Sequence, residues 1–310
     1  MAGMLAGVRR SRQDWRNRMQ VSRASIRFQT EESAERQSRA LNEQHHYFDC
    51  TTRNLCFSRS FMSSFGAQHP LLGMFVEGVR RNHRGMLVSA WGQYYSTFGD
   101  GDAAGEHLSR ACTAAGANVS GSPSSDRSMN CARFALAPAL DGSPPDTPLS
   151  EPVAALLEAL AGCIVRGTDG KNKAVMTPFW RSLLIELGFR YVEYAIPGDI
   201  VVYTLIPFTA AEQEAAEEVA AHFGIVRSLT DLHLSVESKS GFAFPTYLHP
   251  LNVIDPTYLL ISHHIRVHFF RPGTQRPMVA DLNRLAARYE RRLKALREEA
   301  CASGGGGVRA

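Results

Sequence analysis

Six cysteines are spread over 310 residues without a single C-x-x-C pair, so neither a zinc ribbon nor a dithiol redox motif is written in the chain. Cys50, Cys56, Cys112, Cys131, Cys163 and Cys301 therefore read as reduced thiols. No run of about 18 apolar residues occurs, and no membrane span is expected. The long apolar core of a secretory signal is missing too, so the Asn118-Val-Ser120 sequon reads as unused. The chain carries no G-x-S-x-G, no phosphate-loop signature, no H-E-x-x-H and no dinucleotide fingerprint. A non-catalytic protein needing no metal and no cofactor is the expectation. Around His45-His46, Asp49, Cys50 and Cys56, the spacing fits no zinc pattern.

What is present is enough for two domains: 310 residues, 44% of them hydrophobic. Charge is unevenly placed. Residues 1–30 hold seven Arg, one Asp and no Lys, while 278–310 carry a net +3, which leaves 31–277 acidic at −5. Any contact with nucleic acid must then be local or led by the basic ends. An Arg-rich, Ser-bearing, acid-poor start has the composition of an organellar transit peptide, so 1–30 predicts import into the mitochondrial matrix.

The most informative stretch runs from Ile200 to Phe270. Ile200–Ile206 reads as a strand, and Thr209 with Glu212 forms a capping box ahead of an Ala- and Glu-rich helix over 210–222 that ends at Gly224. Leu232–Glu237 alternates as a strand, 238–241 turn the chain, Phe242-Ala-Phe244 alternates again, and Ile265–Phe270 is a last alternating run.

This order, with Ser240-Gly-Phe-Ala-Phe-Pro-Thr-Tyr247 in it, resembles the RNA recognition motif family over 199–271. Ser240 stands where that motif has a basic residue, Lys239 lies one place earlier, and Pro245 stands where it has a β-branched one. The resemblance implies an α+β, ferredoxin-like antiparallel sheet with two helices in the C-terminal half. Its implied RNA-contacting residues are Tyr203, Lys239, Phe242, Phe244 and Arg266. Phe242 and Phe244 would stand on one strand face, where stacking a base on each ring is worth about 1–3 kcal/mol. The other reading of Phe-Ala-Phe is an ordinary buried strand.

Elsewhere, 31–112 reads as an α/β segment of unknown fold. Pro70–Val79 within it predicts a helix ending at Arg80-Arg81, and Met86–Phe98 a strand or core segment. Gly99–Asp102 reads as a plain turn. In 113–150, 29 of 38 residues are Ala, Gly, Ser, Pro, Thr, Asp or Asn, the composition of a flexible linker. Residues 151–198 predict a helical and hairpin extension: a helix from Ser150, the lysine-bearing loop Gly167–Lys173, a helix from Thr177 to Gly188, and strands 190–196 and 199–206 joined at Pro197-Gly198. Residues 278–302 predict an amphipathic basic helix, with Leu282, Leu285, Ala286, Tyr289, Leu293 and Leu296 as its apolar seam. Together these readings suggest a non-catalytic RNA-associated subunit of a mitochondrial ribonucleoprotein, a ribosome or an RNA processing or editing complex, whose partners are single-stranded or structured RNA and other protein subunits. The alternative is a scaffold subunit whose covered sheet binds protein without RNA.

Overall fold

A computed structural model describes residues 53–98, 102–119, 130–141, 150–166, 172–175, 177–193, 195–207, 217–229, 234–240, 245–262, 264–274 and 279–302. The N-terminal part is helical: α1 (Arg59–Ala67), α2 (Pro70–Arg80), α3 (Arg84–Phe98) and α4 (Asp102–Ala114), followed by the two-residue β1 (Asn118–Val119). Each helix start has a local cause. Ser58 accepts from Phe61 N at 3.1 Å to cap α1, and His69 Nδ1 accepts from Leu71 N at 3.2 Å with Pro70 behind it. Phe61, Phe65, Leu72, Phe75, Leu87 and Tyr94 form the interior of this bundle. Met86–Phe98 is thus helix rather than strand.

Next come α5 (Cys131–Asp141) and α6 (Glu151–Leu160), the hairpin β2 (Cys163–Arg166) and β3 (Asn172–Val175), then α7 (Trp180–Glu186). Strands β4 (Phe189–Val192), β5 (Ile200–Leu205), β6 (Val219–Leu229), β7 (Leu234–Lys239) and β8 (Thr246–Pro250) lead into a one-turn 3₁₀ helix (Pro256–Leu260). Strand β9 (Ile265–Pro272) and helix α8 (Val279–Ala302) close the chain. One seven-stranded antiparallel sheet, in the order β1-β8-β7-β6-β5-β9-β4, organises all of it. The class is α+β.

Strand β5 reads as an unbroken apolar run because both of its faces are covered, and every residue in it is buried. Ile200 and Val202 join Ala220, Phe223, Ile225 and Phe270 under α5, α6, α7 and α8. On the opposite face Val201 and Tyr203 join Val226, Val236, Val267 and Phe269 beneath Leu55, Leu251 and Ile254. Helix α8 docks through Leu282, Ala286, Tyr289 and Leu293, the predicted seam, and leaves its arginines outward.

Three expectations are corrected. The helix over 210–222 ending at Gly224 gives way, where it is described, to β6: pairing with β5 and β7 overrides the helix propensity of its alanines. Gly224 is a strand residue there, needed because an added Cβ would lie 2.4 Å from Val236 Cγ1. The ferredoxin-like order expected of 199–271 puts a helix after its first strand, whereas β5, β6, β7 and β8 pair in succession as a meander. The strands at Pro197-Gly198 are joined by a turn with Gly198 at φ +92°, as predicted, yet they do not form a hairpin. Strand β9 lies between them, because β4 pairs with β9 and not with β5. Finally, the linker 113–150 contains α5, whose Phe134, Ala135 and Leu136 are core residues. Small residues let this helix lie close on β6 and β7, so composition misread a buried helix as a solvated tether.

The basic segment 1–30, the His45-His46 region, residues 99–101 of the predicted turn, 167–171 of the lysine loop, and Phe242 and Phe244 lie outside the described residues.

Candidate functional site

Of the residues expected to contact RNA, three are described, and the fold does not gather them on an open face. Tyr203 is fully buried, donates to Leu251 O at 2.8 Å, and is covered by the segment between β8 and β9. Lys239 is 1% exposed, at the end of β7 opposite Thr246. Arg266 is half exposed, and its Nη1 donates to Glu218 Oε1 at 2.6 Å. Tyr203 pairs with Val267 and Thr204 with Arg266, so Tyr203 and Arg266 point to opposite sides of the sheet. Base stacking on Tyr203 is therefore closed off by burial.

A different set of residues does converge. Helix α5 begins at Cys131, and the residue before it, Asn130, accepts at Oδ1 from Ala132 N (3.1 Å) and Arg133 N (3.0 Å) while its Nδ2 donates to Glu158 O (3.0 Å). This capping fixes the first turn against α6 and places the Cys131 thiol at the positive end of the helix. The backbone N–H of Phe223 on β6 donates to that thiol, and the amides of Ala132 and of Cys131 itself also stabilise the thiolate. Burial outweighs them and pushes the thiol up to about 11.

The sulfur thus rests on the peptide bond contributed by His222. The ladder joining β6 to β7 stops at Gly224 and Ser238, one residue short of that amide, and a bulge at Ala221 sets off the stretch on the other side. His222 is a buried imidazole whose Nε2 has no hydrogen-bond partner, with its ring centroid 5.5 Å from that of Tyr203. Burial, followed by the charge of His249, pulls His222 down to about 3, so it is neutral at pH 7.

His249 on β8 forms the outer part of this group. Its Nδ1 lies 2.7 Å from Pro250 O, an acceptor only, so the proton is on Nδ1 and Nε2 accepts from Ser238 Oγ at 2.7 Å. Burial pulls His249 down to about 4 against the pull of the Pro250 carbonyl. Tyr258, in the 3₁₀ turn, donates to Ala221 O at 3.1 Å. Burial raises its phenol well above the usual range, and the charges of Cys131 and Asp255 add to this.

No family model matches this chain, and neither a curated protein nor a solved structure is similar to it.

A second polar group, centred on Glu218, braces the sheet at the start of β6. Its carboxylate accepts from Arg266 Nη1 (2.6 Å) and Thr204 Oγ1 (3.0 Å) and lies 2.7 Å from His268 Nε2, while its carbonyl accepts from Trp180 Nε1 at 2.8 Å. Burial raises Glu218, yet the bonds from His268, Arg266 and Thr204 prevail and hold it at about 2. No nucleophile belongs to this group, and its role is to tie β5, β6, β9 and α7 together. Among the described residues, no three His, Cys, Asp or Glu side chains are placed to hold a metal ion, and no helix is long and apolar enough to cross a membrane.

Sequence reading missed Cys131 and His222 because each was assigned to the wrong element, one to a linker and the other to a helix. Two local signals were present. Asn-Cys directly before an Ala-, Phe- and Leu-containing run has the form of an N-cap, and His222-x-Gly224-x-Val226 has the alternation of a strand.

Proposed function

We propose that the protein is a cysteine-dependent acyl hydrolase in which Cys131 is the nucleophile and His222 the general base. One observation carries this reading: a thiol at the first position of a capped helix rests on the peptide bond of a buried, neutral histidine with an unpaired ring nitrogen. Helix N-termini lower thiol pKa values and burial raises them. Admitting a substrate removes the first layer of burial without removing the three amide donors, so the same thiol becomes a better nucleophile when the site opens.

The chemistry is acyl transfer to sulfur. His222 takes the thiol proton as the thiolate attacks the carbonyl carbon of an amide or ester. The tetrahedral oxyanion collapses with loss of the amine or alcohol, which leaves with the proton from His222. Water, deprotonated by the same imidazole, then attacks the thioester and restores the free thiol. The charge of His249 favours the neutral His222 that a base requires. His249 itself is held in one tautomer by Pro250 O and Ser238.

A fluorogenic ester and amide panel with the full chain tests this reading. Hydrolysis that falls by about 10³-fold or more in Cys131→Ala, with an unchanged circular dichroism spectrum, supports it. Hydrolysis retained by that variant excludes it.

A second, non-catalytic reading remains that of an RNA-associated subunit of a mitochondrial ribonucleoprotein, built on a ferredoxin-like unit at 199–271. The observation in its favour is the outer face of α8, where Arg284, Arg288, Arg291, Arg292, Lys294 and Arg297 are all exposed. Part of this charge is answered by Asp281, paired with Arg284, and by Glu186, paired with Arg288. Single-strand RNA affinity at two salt concentrations, compared with Phe242→Ala/Phe244→Ala, tests it. Loss of several-fold affinity in the double variant favours RNA contact, and no binding by the parent favours a protein scaffold instead.

A further inference from the structure

Both groups of the proposed site are shut away from solvent, so something must move before a substrate can reach them. The segment from Asp255 to Ser262 lies over the start of β6. Its 3₁₀ turn opens with Asp255, whose Oδ1 accepts from Thr257 N at 2.9 Å and Thr257 Oγ1 at 2.6 Å. The turn closes with Ile261 N donating to Tyr258 O at 3.2 Å. Tyr258 lies across the bulge, its hydroxyl on the carbonyl of Ala221, the residue before His222. The Tyr258 and Ile261 side chains pack on Leu205, Val219 and Ala221, and Tyr258 and Leu259 also pack on the cluster that contains Tyr203. On its outer side Leu260 reaches the N-terminal bundle, and α3 packs against the turn.

We propose that this turn is a strap that shuts the Cys131–His222 site, fastened at one point by the Tyr258 hydroxyl on Ala221 O and backed by the N-terminal helical bundle. The proposal rests on the hydrolase reading for its purpose, though not for its geometry. A single 3₁₀ turn has poor internal hydrogen bonding and belongs to no sheet ladder, which places it among the parts of a fold that open most cheaply. A shift of α1 to α4 is the motion that would release it, since Leu260 moves with that bundle. The device is thus a regulatory cover: a partner that displaces the bundle turns the site on.

The test is the rate at which iodoacetamide alkylates Cys131 in the full chain, read peptide by peptide by mass spectrometry. Buried Cys112, in the N-terminal bundle and remote from the fastening, serves as the internal control. Tyr258→Phe removes one hydrogen bond and should speed Cys131 labelling about two- to tenfold. Tyr258→Ala also removes the ring and should speed it further, with Cys112 unchanged in both. Unchanged labelling of Cys131 in both variants overturns the strap, and so does a parallel rise at Cys112, which would signal general loosening. Faster labelling without hydrolysis of any substrate leaves the strap standing and removes the hydrolase. Hydrolysis by the parent with labelling unaffected by either variant does the reverse.

Discussion

The backbone N–H of Phe223 donates to the thiol of Cys131, joining the first turn of α5 to the β6 peptide bond that His222 begins. The contact is only as good as the helix start that aims the sulfur, and Asn130 holds that start. Asn130→Ala removes two caps and a bond to Glu158 O, and should cost about 1–2 kcal/mol in chemical denaturation. If the hydrolase reading is right, it should also lower turnover by more than it raises KM, because the nucleophile is misplaced and no substrate contact is lost.

The two buried histidines set a pH dependence of stability. Folded-state values of about 3 for His222 and about 4 for His249 lie below the unfolded value near 6.5, so the unfolded chain binds more protons in between. Stability is complete above about pH 6.5 and falls as pH drops toward 4, by up to about 1.4 kcal/mol per pH unit for each histidine. Urea midpoints at pH 7.5, 6 and 5 measure this. His249→Gln should flatten the slope, and an identical slope in that variant would show that His249 titrates normally.

Glu218 adds an acid limb at lower pH. Its depressed value of about 2 means that its stabilising bonds are complete above about pH 4.5 and are lost as pH falls toward 2. Glu218→Gln should lose about 1–3 kcal/mol at pH 7, since His268, Arg266 and Thr204 lose an anionic acceptor. The loss should shrink at pH 3, which thermal melts at the two pH values can check.

Asp199 joins the turn before β5 to β9. It is buried, accepts from Arg271 Nε at 2.8 Å and Nη2 at 2.7 Å, and also from Ile196 N at 2.8 Å. Removing one partner of such a pair strands the other, so Asp199→Ala should cost about 3–5 kcal/mol in equilibrium unfolding. A loss below 1 kcal/mol would mean that Arg271 finds another partner.

Gly224→Ala should be among the most damaging small substitutions in the sheet. Its Cβ would meet Val236 Cγ1 at 2.4 Å and Glu237 O at 3.1 Å, and the Glu237 carbonyl belongs to the paired strand and cannot turn away. A loss of about 1–3 kcal/mol is expected. Val236→Ala in the same chain should recover part of it by making room for the added methyl.

Some of this architecture was legible beforehand because its cause is local. The apolar run of β5, the alternation of β9, the Pro-Gly turn at 197–198, the helix at Pro70 and the seam of α8 each depend on neighbours within a few residues. Other elements had causes elsewhere in the chain. The alanines before Gly224 favour a helix in isolation, and only the strands on either side make β6 a strand. The small residues of α5 suggested a tether, and only the sheet beneath them supplies a surface on which small side chains pack well.

The sequence by itself determined that this chain folds as an α+β protein with a continuously apolar central strand and a charged amphipathic helix at its C-terminal end, because hydrophobic periodicity and capping act over a turn or two of chain. Tertiary structure alone decided which strand lies beside which, that Tyr203 and Lys239 are covered, and that Cys131 meets the peptide bond of His222. Those outcomes depend on how residues far apart in the chain bury one another, and no stretch of sequence carries that information on its own.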